Sequence, residues 1–442
     1  MAKALIFYPG PIHFREAQVA LHRPALEELG LELVLADDRL SPSDSDYFAD
    51  TIELPSAQYV SASLRCVERW LRTNEAHAVV AQSEAGLLLG ALAAARLGVP
   101  CISPEAAHLT TNKFRCREVL HDAGVAQPRF TLARTAQDVR AFASTVGYPV
   151  VLKGIASALG RLVTLVRDEG AVEHCVARVR SGLDTSVDIA RLVDFGHVLG
   201  CDLGCDPHTD FLVEAFAHGD PVETDGVVSG LEIRNFGVTE QELSQPPFFF
   251  MEGYLLPAQR SAAELQAIEA ISDRALTSLG VANTGFSNEM RFHAGAASII
   301  EINGRLGWDE GFGDMFALAT GAQPAFQMLE VALGRRSEFS RRTDLHAALA
   351  YAMCYEDRIV ERIPTASEIE TIERECDVRI GLAVHAGDRM YAPPHAETSP
   401  HLAFALASGD ATSRASYARA RRAVDKLRFG LTSVPPPSAA AL

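Results

Sequence analysis

The first 106 residues alternate short apolar runs with helical stretches, and that alternation restricts the fold more than any other feature of the chain. KALIFYPG ends in Pro-Gly and reads as a buried strand with its turn. The helical stretch REAQVALHRPALEELG closes at Gly30, and a second strand, LELVLADD, follows. After a polar loop come a helix around Ser61–Thr73, the strand AVVAQ and the helix EAGLLLGALAAARLG. Strands joined through helices run parallel, because the crossover returns each strand to the same end of the sheet. Residues 1–106 therefore read as a parallel α/β domain, broken at Pro104.

The pattern then changes. In TNKFRCREVLHDAGVAQPRF, Thr111 or Asn112 can cap a helix that ends at Gly124. GYPVVLKGIASALGRLVTLV reads as two strands around a loop of small residues, a hairpin-like unit. From Thr209 the chain is β-rich (DFLVEAF, VETDGVVSG, LEIRNFGVTE) up to the helix SAAELQAIEAISDRALTSLG, which precedes the strands SNEMRFH and ASIIEIN. A last α/β stretch begins after Gly334, and the tail SVPPPSAAAL has the composition of a disordered segment. The expected units are 1–106, 107–205, 206–333 and 334–432, with 433–442 as the tail.

A formal charge of −17 sets the chain against phosphate backbones and anionic membranes, so nucleic acid and membrane are not expected partners. No apolar run reaches the roughly 18 residues of a membrane helix, and the start lacks the pattern of a signal peptide; the expected location is cytoplasmic. Cys201, Cys205 and His208 lack a second ligand pair, so the eight cysteines read as reduced thiols. One bias stands out: the 40 Lys plus Arg include only four lysines, Lys3, Lys113, Lys153 and Lys426. Where arginine serves as the general cation, the internal lysines mark places that need a compact point charge, such as a phosphate oxygen.

The chemistry concentrates in NEMRF and IIEINGR. Glu301 and Asn303 sit two apart on one strand and so share a face. If that strand pairs with its predecessor across HAGA, Glu289 joins them. Two carboxylates and an amide make a hard oxygen set suited to Mg²⁺, with phosphates and water completing the octahedron. The alternative is an exposed polar sheet face, and Ile300 and Ile302 argue against it by marking the opposite face as buried. Arg305 follows at the strand end, where a guanidinium can grip a carboxylate or developing phosphoryl charge.

TNKFRCREVLHDAGVAQPRF, GYPVVLKG, FLVEAFAHGDPVETDGVV and NEMRF…IIEINGRLG, in that order, resemble the ATP-grasp superfamily from about residue 1 to 430. Within it the chain looks like the carboxylate–amine ligases that join L-amino acids. The resemblance implies an α/β (α+β) ATP-grasp fold, with ATP held between two antiparallel sheets and a C-terminal extension. It assigns Lys113 and Lys153 to the phosphates, the Glu214–Ala217 backbone (with Ala215 and Phe216) to the adenine edge, and Glu223 to the ribose. Glu289, Glu301 and Asn303 become ligands of Mg²⁺ (or Mn²⁺), and Arg305 faces the acyl phosphate or substrate carboxylate.

The loop GIASALGR departs from the family's glycine-rich lids, having only Gly154, Ser157 and Gly160; Ser157 can donate a hydroxyl there. Trp308 stands where related ligases often have a small residue, either as core or as a wall of the amino-acid pocket. PPFFFMEGYLLPAQ resembles the substrate-side segment, so Glu252 could meet a substrate ammonium beside Tyr254; an aromatic cluster packing a loop is the alternative. The implied partners are a small-molecule carboxylate and an amine, with homodimerisation open. An ATP-grasp enzyme with another acceptor (carboxylase or purine-pathway type) and an inactive nucleotide-binding scaffold are the rival readings.

Overall fold

The computed structural model describes residues 1–9, 23–157, 160–245, 249–307, 309–342, 344–392 and 399–434. The N-terminal sheet is four-stranded and wholly parallel, in the spatial order Asp50–Glu53, Leu31–Asp37, Ala2–Phe7, Ala78–Val80. Its strands are continuous apolar runs because both faces are covered. Leu5, Phe7 and Val34 pack with the helix Glu84–Leu97, and Ala4, Ile6 and Leu33 pack on the other side with residues of the helix Pro324–Ala332.

A second sheet of four antiparallel strands runs Phe130–Ala133, Phe211–Ala215, Val150–Gly154, Val163–Val166. Its last pair is the expected hairpin around the small-residue loop. The helices Ala136–Val146 and Val172–Leu183 contribute side chains to its core, and Val187–Leu199 links it to the N-terminal domain. Ahead of it lies the helix Lys113–Asp122, capped as expected by Asn112, whose side chain accepts from Arg115 N at 3.1 Å.

The third sheet has eight antiparallel strands, in the order Ala296–Asn303, Thr284–His293, Asp220–Ser229, Glu232–Leu243, Met251–Leu256, Ala347–Met353, His401–Ser408, Arg379–Leu382. The boundary expected near residue 333 therefore falls inside one continuous sheet: Gly253 pairs with Ala350 and Leu256 with Ala347. MEGYLL, part of the segment that the sequence offers as substrate-side or as an aromatic cluster packing a loop, is the strand that makes this join. At the chain's end, Gly430–Ser433 pairs with Arg358–Arg362, so Ser433 belongs to a sheet and not to the tail; residues 435–442 lie outside the described residues.

Candidate functional site

Three neighbouring strands set their carboxylates in one row. The register places Glu289 opposite Glu301 on one side and opposite Glu223 on the other. Two residues along, Ser287 lies between Asn303 and Asp225. Side chains two apart share a face, so both rows look the same way. A bulge beside Glu289 interrupts the alternation: Ile299 and Ile302 enter the core, whereas Ile300, expected on the buried face, is half-buried and lines a cleft.

The two internal lysines face that row from the second sheet and its helix. Lys113 N donates to Ile155 O at 2.9 Å, which ties the helix start to the end of the Lys153 strand. Lys113 Nζ then meets Glu301 Oε1 at 2.6 Å. Lys153, 6% exposed, pairs with Glu214 Oε2 at 2.8 Å, and Arg117 Nε donates to the other carboxylate oxygen at 2.6 Å. Arg117 also donates to the carbonyls of Ile299 (3.0 Å) and Ile300 (2.7 Å), so one guanidinium bridges the two sheets. Both lysines, Arg117, Glu214, Ile300 and Glu301 line a cavity of about 10 Å³, room for about one water. Arg117 went unnoticed among many arginines; its position one helical turn past Lys113, on the same face, was the available signal.

Electrostatics follow from these contacts. Burial works against the Glu214 charge, but Arg117 and Lys153 outweigh it and bring the carboxyl down to about 2. Burial likewise opposes ionisation of Glu301, yet Lys113 and Lys153 hold it below the ordinary range. Glu289 has no ion pair among the described residues: burial and then the Glu301 and Glu223 carboxylates push it up to about 8, against the weaker pull of Lys153 and Lys113. A divalent cation would relieve that repulsion, and the donors present are the hard oxygens Mg²⁺ prefers. Among the described residues, no three His, Cys, Asp or Glu side chains are drawn together as a finished metal site. The oxygens of Glu289, Glu301 and Asn303 would suit a cation whose remaining positions phosphate and water would fill. Ser157 Oγ, buried and without a partner among the described residues, fits a phosphate oxygen.

Glu223 is buried in the sheet, accepting from Ser287 Oγ at 2.5 Å and Gln241 Nε2 at 2.7 Å. In the hinge, Ala215 N donates to Arg129 O and Phe216 N to Pro149 O; Ala217 N has no backbone partner among the described residues. Arg305 is gripped by Glu84, with contacts of 2.6 and 2.8 Å. Glu84 opens a helix at the end of the strand Ala78–Val80, beside the point where the parallel sheet reverses its strand order, a place where such sheets bind ligands. That position was the signal the sequence offered for it. Tyr254, 5% exposed, donates to Asp309 Oδ2 at 2.7 Å, so it steadies the turn after Arg305. Glu252 is not drawn into this group: Tyr355 holds it, at 2.8 Å. Trp308 lies outside the described residues.

A RimK-like ATP-grasp domain matches residues 110–193, which carry both lysines. The structure superposes on an L-amino acid ligase from Bacillus licheniformis with a TM-score of 0.78, covering 98% of this chain and 99% of that one at 20% identity. This is an ATP-grasp fold. An N5-carboxyaminoimidazole ribonucleotide synthetase from Thermotoga maritima is a further structural neighbour, with TM-score 0.69, 13% identity and coverage of 98% and 100%. By sequence, the uncharacterized protein y4rH of Sinorhizobium fredii is 25% identical over 282 residues, 64% of this chain and 54% of that protein. The carbamoyl phosphate synthase large chain of Ralstonia nicotianae is 24% identical over 212 residues, 47% of this chain and 18% of that one. The chain thus spans about half the length of the first relative and under a fifth of the second. Among its described residues no helix is long and apolar enough to cross a membrane.

Proposed function

We propose that the chain is an ATP-dependent carboxylate–amine ligase that joins amino acids or amino-acid-like substrates and releases ADP and phosphate. The observation that carries this reading is the meeting of Lys113 and Glu301 at 2.6 Å, which sets the phosphate-type lysines against the carboxylate row. Lys113 and Lys153 would position the triphosphate as point charges, with the Ser157 hydroxyl donating to a phosphate oxygen. Glu289, Glu301 and Asn303 would hold Mg²⁺ or Mn²⁺, which when bound neutralises phosphate charge. Arg305, oriented by Glu84, would hold the substrate carboxylate in line with the γ-phosphorus.

The carboxylate oxygen attacks that phosphorus, the bond to the β-phosphate oxygen breaks, and ADP leaves. An amine then attacks the acyl carbon: the C–N bond forms, the bond from that carbon to the phosphate oxygen breaks, and inorganic phosphate leaves with the proton the amine gives up. Exclusion of water protects the mixed anhydride from hydrolysis. No enzyme nucleophile is required.

The test is incubation of the protein with ATP, Mg²⁺ and pairs of amino acids, reading nucleotide products and product mass. ADP, phosphate and an amide are expected. AMP with pyrophosphate would sink the reading, since adenylation needs attack at the α-phosphorus. ADP formed with bicarbonate, and not with amino acids, would move the chain to the carboxylase-type acceptors of some of its structural neighbours.

A further inference from the structure

His401 opens the strand His401–Ser408 and is 7% exposed. Its ring stacks on Tyr351, with centroids 4.1 Å apart and planes within 5°. Nε2 lies 3.0 Å from Met251 O, and Nδ1 lies 3.0 Å from Glu310 Oε2. A carbonyl can only accept, so Nε2 carries a proton. A second proton must then sit between Nδ1 and Glu310, and the carboxyl, being ordinarily the stronger acid, yields it to the ring.

The turn that Glu310 belongs to is held at several points. Tyr351 donates its hydroxyl to Glu310 O at 2.9 Å, and Tyr254 donates to Asp309. Gly311, at φ +79°, lies against Phe404 and Leu349 so closely that a Cβ would fall 2.7 Å from the Phe404 ring. Arg305 begins the same loop, and its charge and that of Asp309 act on each other.

We infer that His401 is a positioning residue for the substrate side of the cleft: as an imidazolium it clamps the turn through Glu310 and so sets where Arg305 and Asp309 stand. This rests on the ligase reading for the word substrate alone; the charge on the ring does not depend on it. The groups facing His401 are Glu310, Asp309, Tyr351 and the Met251 carbonyl. Burial favours a neutral ring, yet Glu310 and then Asp309 outweigh it and raise the imidazole to about 9. The ring therefore stays charged and the clamp intact through neutral pH, and it is released as pH rises through about 9.

The test uses the full chain with ¹⁵N-labelled histidine, the His401 signals being assigned by their loss in His401→Gln. At pH 7.5 both ring nitrogens should be protonated, and Glu310→Gln should lower the titration midpoint. In ADP-release assays with an amino acid active in the pairwise screen, both variants should raise KM for that carboxylate severalfold and leave KM for ATP unchanged. Wild type should reproduce the rise above pH 9. A neutral ring at pH 7.5 would overturn the inference, as would unchanged carboxylate KM in Glu310→Gln, which keeps the side-chain shape if His401→Gln fails to fold. A chain with no turnover but a charged His401 would fail the ligase reading and leave the clamp standing.

Discussion

Glu214→Gln removes one negative charge from a place where two positive charges are buried against it. Arg117 and Lys153 approach the two carboxylate oxygens at 2.6 and 2.8 Å, and Glu214 itself is 2% exposed. The carboxyl falls from 4.5 to about 2, and at about 1.36 kcal/mol per pH unit that is on the order of 3 kcal/mol of preference for the charged form. The glutamine leaves both cations buried with only a neutral acceptor, a situation that costs about 3–5 kcal/mol when one member of a buried ion pair is lost. Thermal unfolding should show a drop of about 3–5 °C for a chain of 442 residues. The pH dependence has a definite sign. A depressed carboxyl contributes stability that is fully present above about 4.5 and is lost as pH falls through about 2. Wild type should therefore lose stability across that window, and the variant should lack this part of the loss. A melting temperature within about 2 °C of wild type at pH 7, or an identical acid profile, would refute the argument. KM for ATP should rise as well, because Lys153 loses the group that holds it.

Three further outcomes are expected. Glu301→Ala should abolish ADP formation with little change in melting temperature, because it removes the proposed cation ligand and the partner of Lys113 from a partly exposed cleft; wild-type ADP formation would show the carboxylate row is not the metal site. Lys153→Arg should be severely impaired although arginine is this chain's usual cation, since a planar fork does not fit beside Glu214 in a gap of about 10 Å³; near-normal kcat/KM would remove the argument from lysine scarcity. Gly86→Ala would place a Cβ 2.2 Å from the Phe7 carbonyl oxygen, so the helix that carries Glu84 must shift. It should cost about 1–3 kcal/mol of stability, read in urea unfolding, and an unchanged midpoint would contradict the packing.

The parallel domain was legible in the sequence because its strands are apolar throughout and separated by helical stretches, a pattern that depends on local burial alone. The same holds for the cap at Asn112, for the hairpin around Gly154–Gly160 and for the shared face of Glu301 and Asn303, all of which follow from neighbours a few residues apart. The scarcity of lysine drew attention to Lys113 and Lys153 without any fold. Partners distant along the chain were another matter. Nothing local says that Glu84 will meet Arg305, that Arg117 will join Glu214 to the far sheet, or that His401 will clamp Glu310. Each of these contacts joins segments about 90 to 220 residues apart, and a charged residue looks the same in sequence whether it ends in water or against a buried counter-charge. The bulge beside Glu289 and the sheet running on past residue 333 were decided in the same way, by strand register, which exists only once the strands have met.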